Sequence, residues 1–436
     1  MEQNMFIRIL NSEMELATGC TEPGAVALTA AEAGQALRKA GVDKAEEITV
    51  NASINIIKNA MSAGIPGTDY EGMDYAAAIG ALGGDPVYLL EVMNHVPRET
   101  VEAAAALVKA GKVRVNVAQV PQKLYIEVIA KGGGHTGRAI VRDLHTNVVL
   151  VEQDGVATLD KRDTDTAAAG DSDVVSPEQI ASFLTVRSIW DYCTKELDPM
   201  NDPIDIIRSA VKVNSVISDE GLSKEYGLAI GRNLDLNCRK GLMTRDLTTN
   251  SMIAAAAGAD ARMAGAPVSV VANSGSGNQG ITCSVPLIEY AKELHSGKEK
   301  LYRALIISNL VAIHEKTGIG TLSAYCGAVS AGAGAGAGIV YLCGDGYQAA
   351  IHTVVNALAI VSGIVCDGAK ASCAAKIASS VDAALLGYNM YKCNQEFKGG
   401  DGIVMKDIET TIKGIGRLGK DGMRQTNEEI IRLMMS

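Results

Sequence analysis

Glu47-Ile-Thr-Val-Asn-Ala-Ser-Ile-Asn-Ile-Ile57 is where the chain changes its periodicity. Apolar and polar residues alternate there with a period of two, the pattern of a strand buried on one face. Upstream the period is helical. Residues 7–17 read as an amphipathic helix, and Thr21 opens a long helix through Ala25 to Ala40, with Thr21 as N-cap, Pro23 in the first turn and Gly41 as the stop. Downstream, residues 113–120, 124–130, 137–143 and 147–152 repeat the two-residue rule, with helices expected at about 70–82 and 98–110. That region predicts a small mixed α/β unit.

Past residue 176 helical composition dominates, at 177–184, 204–218, 247–263, 286–293, 300–314, 348–361 and 374–390, with glycine-rich breaks. The simplest architecture is α+β. A large, mainly helical domain (1–45 and 176–436) carries a smaller mixed α/β domain (46–175) inserted after its first helices. The segment 160–176, rich in Asp, Thr and Ala, is the expected linker. The Ala-Gly run at 331–338, flanked by helix formers, predicts a helix that lets a neighbour or a cofactor approach closely.

Apolar residues make up 47 % of the 436 residues and aromatics only 4 %, so the core is large and built from small side chains. A net charge of −10 with no basic, aromatic-rich patch argues against a nucleic-acid partner. The apolar stretch at 349–365 is interrupted by His352 and Asn356, so no membrane span is expected. The N-terminal run is too charged for a signal peptide, and nine cysteines, an odd number, suit reduced thiols in the cytoplasm.

Chemistry is carried by a few places. Cys366 and Cys373 flank Asp-Gly-Ala-Lys-Ala-Ser. One continuous helix would separate their sulfurs by about 10 Å of rise, too far for a shared small site. A turn at 367–372 would fold Cys373 back beside Cys366, and a third thiolate would then make a metal–sulfur site with a free position; otherwise they are two unrelated buried thiols. Cys20, just before a helix start, feels the positive end of the dipole, which suits a base, a nucleophile or a ligand as well as a plain buried thiol. Asn273-Ser-Gly-Ser-Gly-Asn-Gln-Gly280, read as a loop between two helices, is either an anion-binding nest or an ordinary connection. His135 in Gly-Gly-Gly-His-Thr is a substrate contact or a solvated turn residue, and Asn55, Lys58 and Asn59 bring polar groups to a strand end.

Taken together, these motifs resemble the L-cysteine desulfidase family, relatives of the iron–sulfur L-serine dehydratase alpha chain. The marks are GCTEP at 19–23, IKNA and PGT within 57–68, GGHT at 133–136, DARMAGA at 260–266, ANSGSGNQGIT at 272–282, LSAYC at 322–326 and VCDGAKASCAAK at 365–376. The resemblance implies a [4Fe–4S] cluster on Cys326, Cys366 and Cys373, with Cys20 as proton acceptor. It further implies β-elimination of L-cysteine to pyruvate, ammonia and hydrogen sulfide. Asn273, Ser274, Ser276 and Asn278 would hold the substrate carboxylate, with Asn55, Lys58, Asn59 and His135 closing the pocket. Cys283 and Cys343 are not expected as fourth ligands. A small amino acid is the expected partner, and a homodimer is compatible with this reading. The competing readings are an iron–sulfur L-serine dehydratase, a pyridoxal-phosphate lyase using Lys370 or Lys376, and a non-catalytic redox sensor.

Overall fold

The computed structural model describes residues 4–162, 175–320 and 322–435. The chain begins with α1 (Met5–Glu13), β1 (Met14–Thr18) and α2 (Thr21–Lys39), then β2 (Glu47–Ala52), α3 (Ile54–Ala60), α4 (Met73–Gly83) and α5 (Arg98–Lys109). Five strands follow: β3 (Val113–Val117), β4 (Tyr125–Gly132), β5 (His135–Arg142), β6 (Val148–Gln153) and β7 (Val156–Asp160). The rest is α6 (Pro177–Phe183), α7 (Val186–Asp191), α8 (Asp205–Ser223), α9 (Ile230–Arg239), α10 (Leu247–Met263), β8 (Ser269–Asn273), α11 (Gly277–Glu293) and α12 (Lys298–Ile319). It closes with α13 (Gly327–Cys343), α14 (Tyr347–Val361), α15 (Ser372–Lys392), α16 (Ile408–Arg417) and α17 (Arg424–Met435). With 59 % helix and a six-stranded mixed sheet, the fold is α+β.

The sheet runs β3-β2-β4-β5-β6-β7, parallel only between β2 and β3. The alternation that announces β2 is real: Ile48, Val50 and Ala52 are all buried. It ends sooner than expected, however, because Ser53 turns the chain into α3, whose Ile56 and Ile57 are buried. An Ile-x-Ile-Ile run satisfies a strand period and a single helical turn equally well.

α2 is buried along nearly its whole length and shares its core with the sheet and α4. The expected division placed it with the helical part; its packing places it with the sheet. Glycines set the approach distance. A Cβ at Gly137 of β5 would stand 2.0 Å from the carbonyl oxygen of Ala33 in α2. Gly137→Ala is therefore expected to lower stability by about 2–3 kcal/mol through overpacking. Gly297→Ala, where nothing lies within 4 Å, should change the urea midpoint little.

A second, larger core fills the helical part, with α13 at its centre touching α11, α12, α14 and α15. The Ala-Gly run lies inside α13, and a Cβ at Gly334 would stand 2.4 Å from the Ser308 carbonyl oxygen. Small residues therefore seat a neighbouring helix backbone here. Three strands, β1, β7 and β8, were not foreseen. β1 ends what was read as one helix over 7–17, and it pairs antiparallel with β8, Met14 opposite Asn273. Most of the expected linker, residues 163–174, lies outside the described residues. No described helix is long and apolar enough to cross a membrane.

Candidate active site

Two short backbone stretches bring the cysteines together. Cys366 N–H donates to Ala324 O at 2.7 Å and Cys326 N–H to Ile364 O at 3.2 Å, with Tyr325 and Val365 forming an antiparallel bridge. Cys326 and Cys366 are thereby held on adjacent strands of backbone, Cys326 as the N-cap of α13. Residues 367–371 are irregular, and Cys373 enters the first turn of α15 with its Sγ 3.5 Å from Gly368 O. Gly368, at φ +95°, lies directly on the end of α3: a Cβ there would be 2.3 Å from Lys58 O. The turn between the two cysteines is thus a tight crossing that only glycine fits.

Cys326, Cys366 and Cys373 line one cavity of about 110 Å³. Burial pushes the Cys326 thiol up to about 12, reinforced by the neighbouring Cys366; Cys373 is raised by burial too. For both, loss of water around the sulfur disfavours the charged form. Around them stand buried cations. Lys58 donates to Cys366 O at 3.3 Å and to Asn427 Oδ1 at 2.8 Å, Lys376 pairs with Asp367, and Lys316 lines the cavity with its basicity lowered by burial. The Lys370 Nζ is buried with no partner at all.

This donor set fits a metal–sulfur cluster. Three thiols face one cavity, and the surrounding ammoniums would balance the negative charge that thiolate ligation brings. Among the described residues no three His, Cys, Asp or Glu side chains stand close enough for a single ion. Ligands of a four-iron cube bind different irons and stand further apart. No fourth cysteine lines the cavity: Cys283 is packed against Ala312 and Ala331, and Cys343 is exposed at the end of α13.

Cys20, not Thr21 as expected, is the N-cap of α2, and its environment also differs from the expectation. It is 1 % exposed among Ala63, Met263, Ala369 and Cys373. Burial outweighs the helix dipole and pushes the thiol up to about 12, while the charges of Arg262 and Lys370 act in the opposite direction. Cys20 therefore packs against Cys373 and is not among the residues that line the cavity.

The glycine-rich loop follows a strand rather than a helix: β8 ends at Asn273, and α11 starts at Gly277. Ser274 (φ 47°) and Gly275 (φ 74°) are successive left-handed residues. Ser274, Ser276 and Asn278 line the cavity, as a nest at a helix N-terminus would. Asn273 does not; its side chain is fully buried and donates to Asn309 Oδ1 at 2.9 Å. Arg262, 3 % exposed, donates to Asn278 Oδ1 at 3.1 Å and leaves its Nε without a partner. Among the described residues no carboxylate pairs with this guanidinium.

The sheet side contributes unevenly. Asn59 lines the cavity and donates to Glu22 Oε1 at 2.8 Å. Lys58 lies beneath, and Asn55 accepts from Asn427 of α17 at 2.9 Å, away from the cavity lining. His135 is not at the site: its side chain is 44 % exposed at a hairpin tip, bonded to Asp154 at 2.8 Å. The histidine that does line the cavity is His145, in the β5–β6 turn, together with Glu22, Arg262, Gln279 and Lys316. His145 Nε2, Arg262 Nε and Gln279 Oε1 are buried without hydrogen-bond partners among the described residues, which no spacing pattern records.

A family model described as the serine dehydratase alpha chain matches residues 156–432. A UPF0597 protein of Oleidesulfovibrio alaskensis is 42 % identical over 435 residues, covering 100 % of this chain and 98 % of the relative. One of Desulfitobacterium hafniense is 42 % identical over 436 residues, covering 99 % and 96 %. One of Chromobacterium violaceum is 37 % identical over 430 residues, covering 99 % and 97 %.

Proposed function

The chain belongs to the serine dehydratase alpha-chain family, a family of dehydratase-type lyases, and from that premise we propose that it is an iron–sulfur L-cysteine desulfidase. The observation that carries the reading is the shared lining of one small cavity by three thiols and an unpaired buried arginine.

Cys326, Cys366 and Cys373 would hold a [4Fe–4S] cluster, which when bound supplies Lewis-acid polarisation at a soft, sulfur-rich position suited to a thiolate. Arg262 and the opening N–H groups of α11 from Gly277 onward hold and neutralise the substrate carboxylate, which makes the α-hydrogen more acidic; the Ser274 and Ser276 N–H groups are already bonded to Glu13 O and Asn273 O. Cys20 lies against Cys373 and is not among the residues that line the cavity, so accepting that α-hydrogen as a proton requires its thiol, once deprotonated, to turn past Cys373; Arg262 and Lys370 are the charges that favour its thiolate. The Cα–H electron pair becomes the Cα=Cβ double bond as the Cβ–S bond breaks, giving 2-aminoacrylate and sulfide. Tautomerisation and hydrolysis by water then yield pyruvate and ammonia. Lys58 anchors the backbone of Cys366, and Asn59 fixes Glu22, so the sheet side shapes the pocket without reacting.

Replacing Arg262 by Gln is expected to raise KM for L-cysteine by roughly 10- to 100-fold, the loss of one charge-assisted contact. The visible absorption of the cluster should stay intact. Anaerobically reconstituted protein assayed with L-cysteine, L-serine and L-homocysteine tests the substrate. We expect sulfide and pyruvate in equal amounts from L-cysteine, with kcat/KM above that for L-serine. Pyruvate from serine without sulfide from cysteine would overturn the desulfidase reading in favour of dehydration.

A further inference from the structure

The cavity contains a second charge without a full partner. Glu22 is 8 % exposed, and its oxygens accept from Asn59 Nδ2 at 2.8 Å and Thr21 Oγ1 at 3.0 Å. Among the described residues no lysine or arginine forms an ion pair with it. The ammonium of Lys58, whose field reaches Glu22, is already bonded to Cys366 O and Asn427 Oδ1. The group that faces Glu22 is His145, 6 % exposed, with Nε2 at 4.0 Å from Glu22 Oε1. That distance is too long for a hydrogen bond, and Nε2 has no other partner.

The ring is held in place. Gly275 packs on its edge, and a Cβ there would stand 3.0 Å from His145 Cε1. The arrangement therefore joins three separate parts of the fold: the start of α2, the β5–β6 turn and the β8–α11 loop. A buried carboxylate and an orphaned imidazole nitrogen facing one another are costly unless a donor bridges them.

We infer that Glu22 and His145 form the subsite for the α-ammonium group of the substrate, an inference that rests on the amino-acid lyase reading above. One nitrogen placed about 2.9 Å from each acceptor closes the 4.0 Å gap with two hydrogen bonds. Arg262 and Glu22 then meet the two ends of a zwitterion, each supplying the charge the other end lacks. With the β-substituent directed at the cysteine cage, three points of attachment are fixed. The pocket should therefore select α-amino acids over α-hydroxy or deamino acids, and the L enantiomer over the D.

Anaerobic calorimetry on the reconstituted protein tests this with L-alanine and propionate, a pair that differs by the amino group and has no leaving group. Wild-type protein should bind L-alanine more tightly than propionate. Glu22→Gln should weaken L-alanine by about 10- to 100-fold and leave propionate within about threefold. His145→Gln, a second variant in case the first misfolds, should shift the pair in the same direction by a smaller factor. Unchanged L-alanine affinity in Glu22→Gln, or an equal loss for both ligands, overturns the subsite. If that happens while wild-type protein still releases sulfide from L-cysteine, the lyase reading stands and only the subsite falls. If wild-type protein neither binds L-alanine nor turns over L-cysteine, both fall together.

Discussion

Cys20→Ala is expected to abolish sulfide release, with kcat down by at least about 10³-fold, while the iron content and visible spectrum stay at wild-type level. The residue is not a cage member. It packs behind Cys373 with Ala63, Ala369 and Met263, so its loss removes a small apolar contact and leaves the Cys326, Cys366 and Cys373 backbone geometry untouched. Cys20→Ser keeps the shape but replaces the thiol by a much weaker acid, and it should be nearly as inactive. Loss of the cluster in either variant would make Cys20 a ligand and remove the proton acceptor from the scheme.

Cys326→Ala is expected to behave in the opposite way, losing the cluster and the activity together. Its fold should persist. Cys326 makes no side-chain capping bond at the start of α13, so the helix does not depend on its sulfur. The replacement should cost less than about 2 kcal/mol in denaturant titrations of the metal-free protein. A variant that keeps a four-iron spectrum would show that another cysteine substitutes. Neither Cys283, fully buried against Ala312 and Ala331, nor Cys343, exposed at the far end of α13, lines the cavity.

What the sequence disclosed follows from how local each signal is. β2 and β4 are readable because one buried face imposes alternation, as at Ile48, Val50 and Ala52. β1 and β8 are not: each is five residues long, and their pairing joins positions some 250 residues apart. That missed strand also hid the nature of the 273–280 loop. The position of α2 between α4 and the sheet depends on Gly34 and Gly80, which meet carbonyls across the α2–α4 contact, and on Gly137 of β5, which meets Ala33 O of α2; that is a property of contact.

The site divides in the same way. The Cys366–Cys373 spacing alone favoured two unrelated thiols over a cage, and only the resemblance joined them to Cys326. The structure adds the bridge between residues 325 and 365 and the crossing at Gly368. His135 drew attention because it sits among glycines, yet it is solvated at a hairpin tip. His145, ten residues on and in an unremarkable turn, reaches the cavity. Arg262 and Glu22 carry ordinary charges in the sequence. Their meaning lies in being buried without a full counter-charge, which only three dimensions reveal.

If the cysteine cage is the catalytic centre, turnover of L-cysteine must follow iron loading, measured from metal-free to fully reconstituted protein under anaerobic conditions. Sulfide and pyruvate release should rise in proportion to cluster content and vanish without it. Undiminished turnover by iron-free protein, with an absorption band near that of a pyridoxal aldimine that borohydride removes, would contradict it.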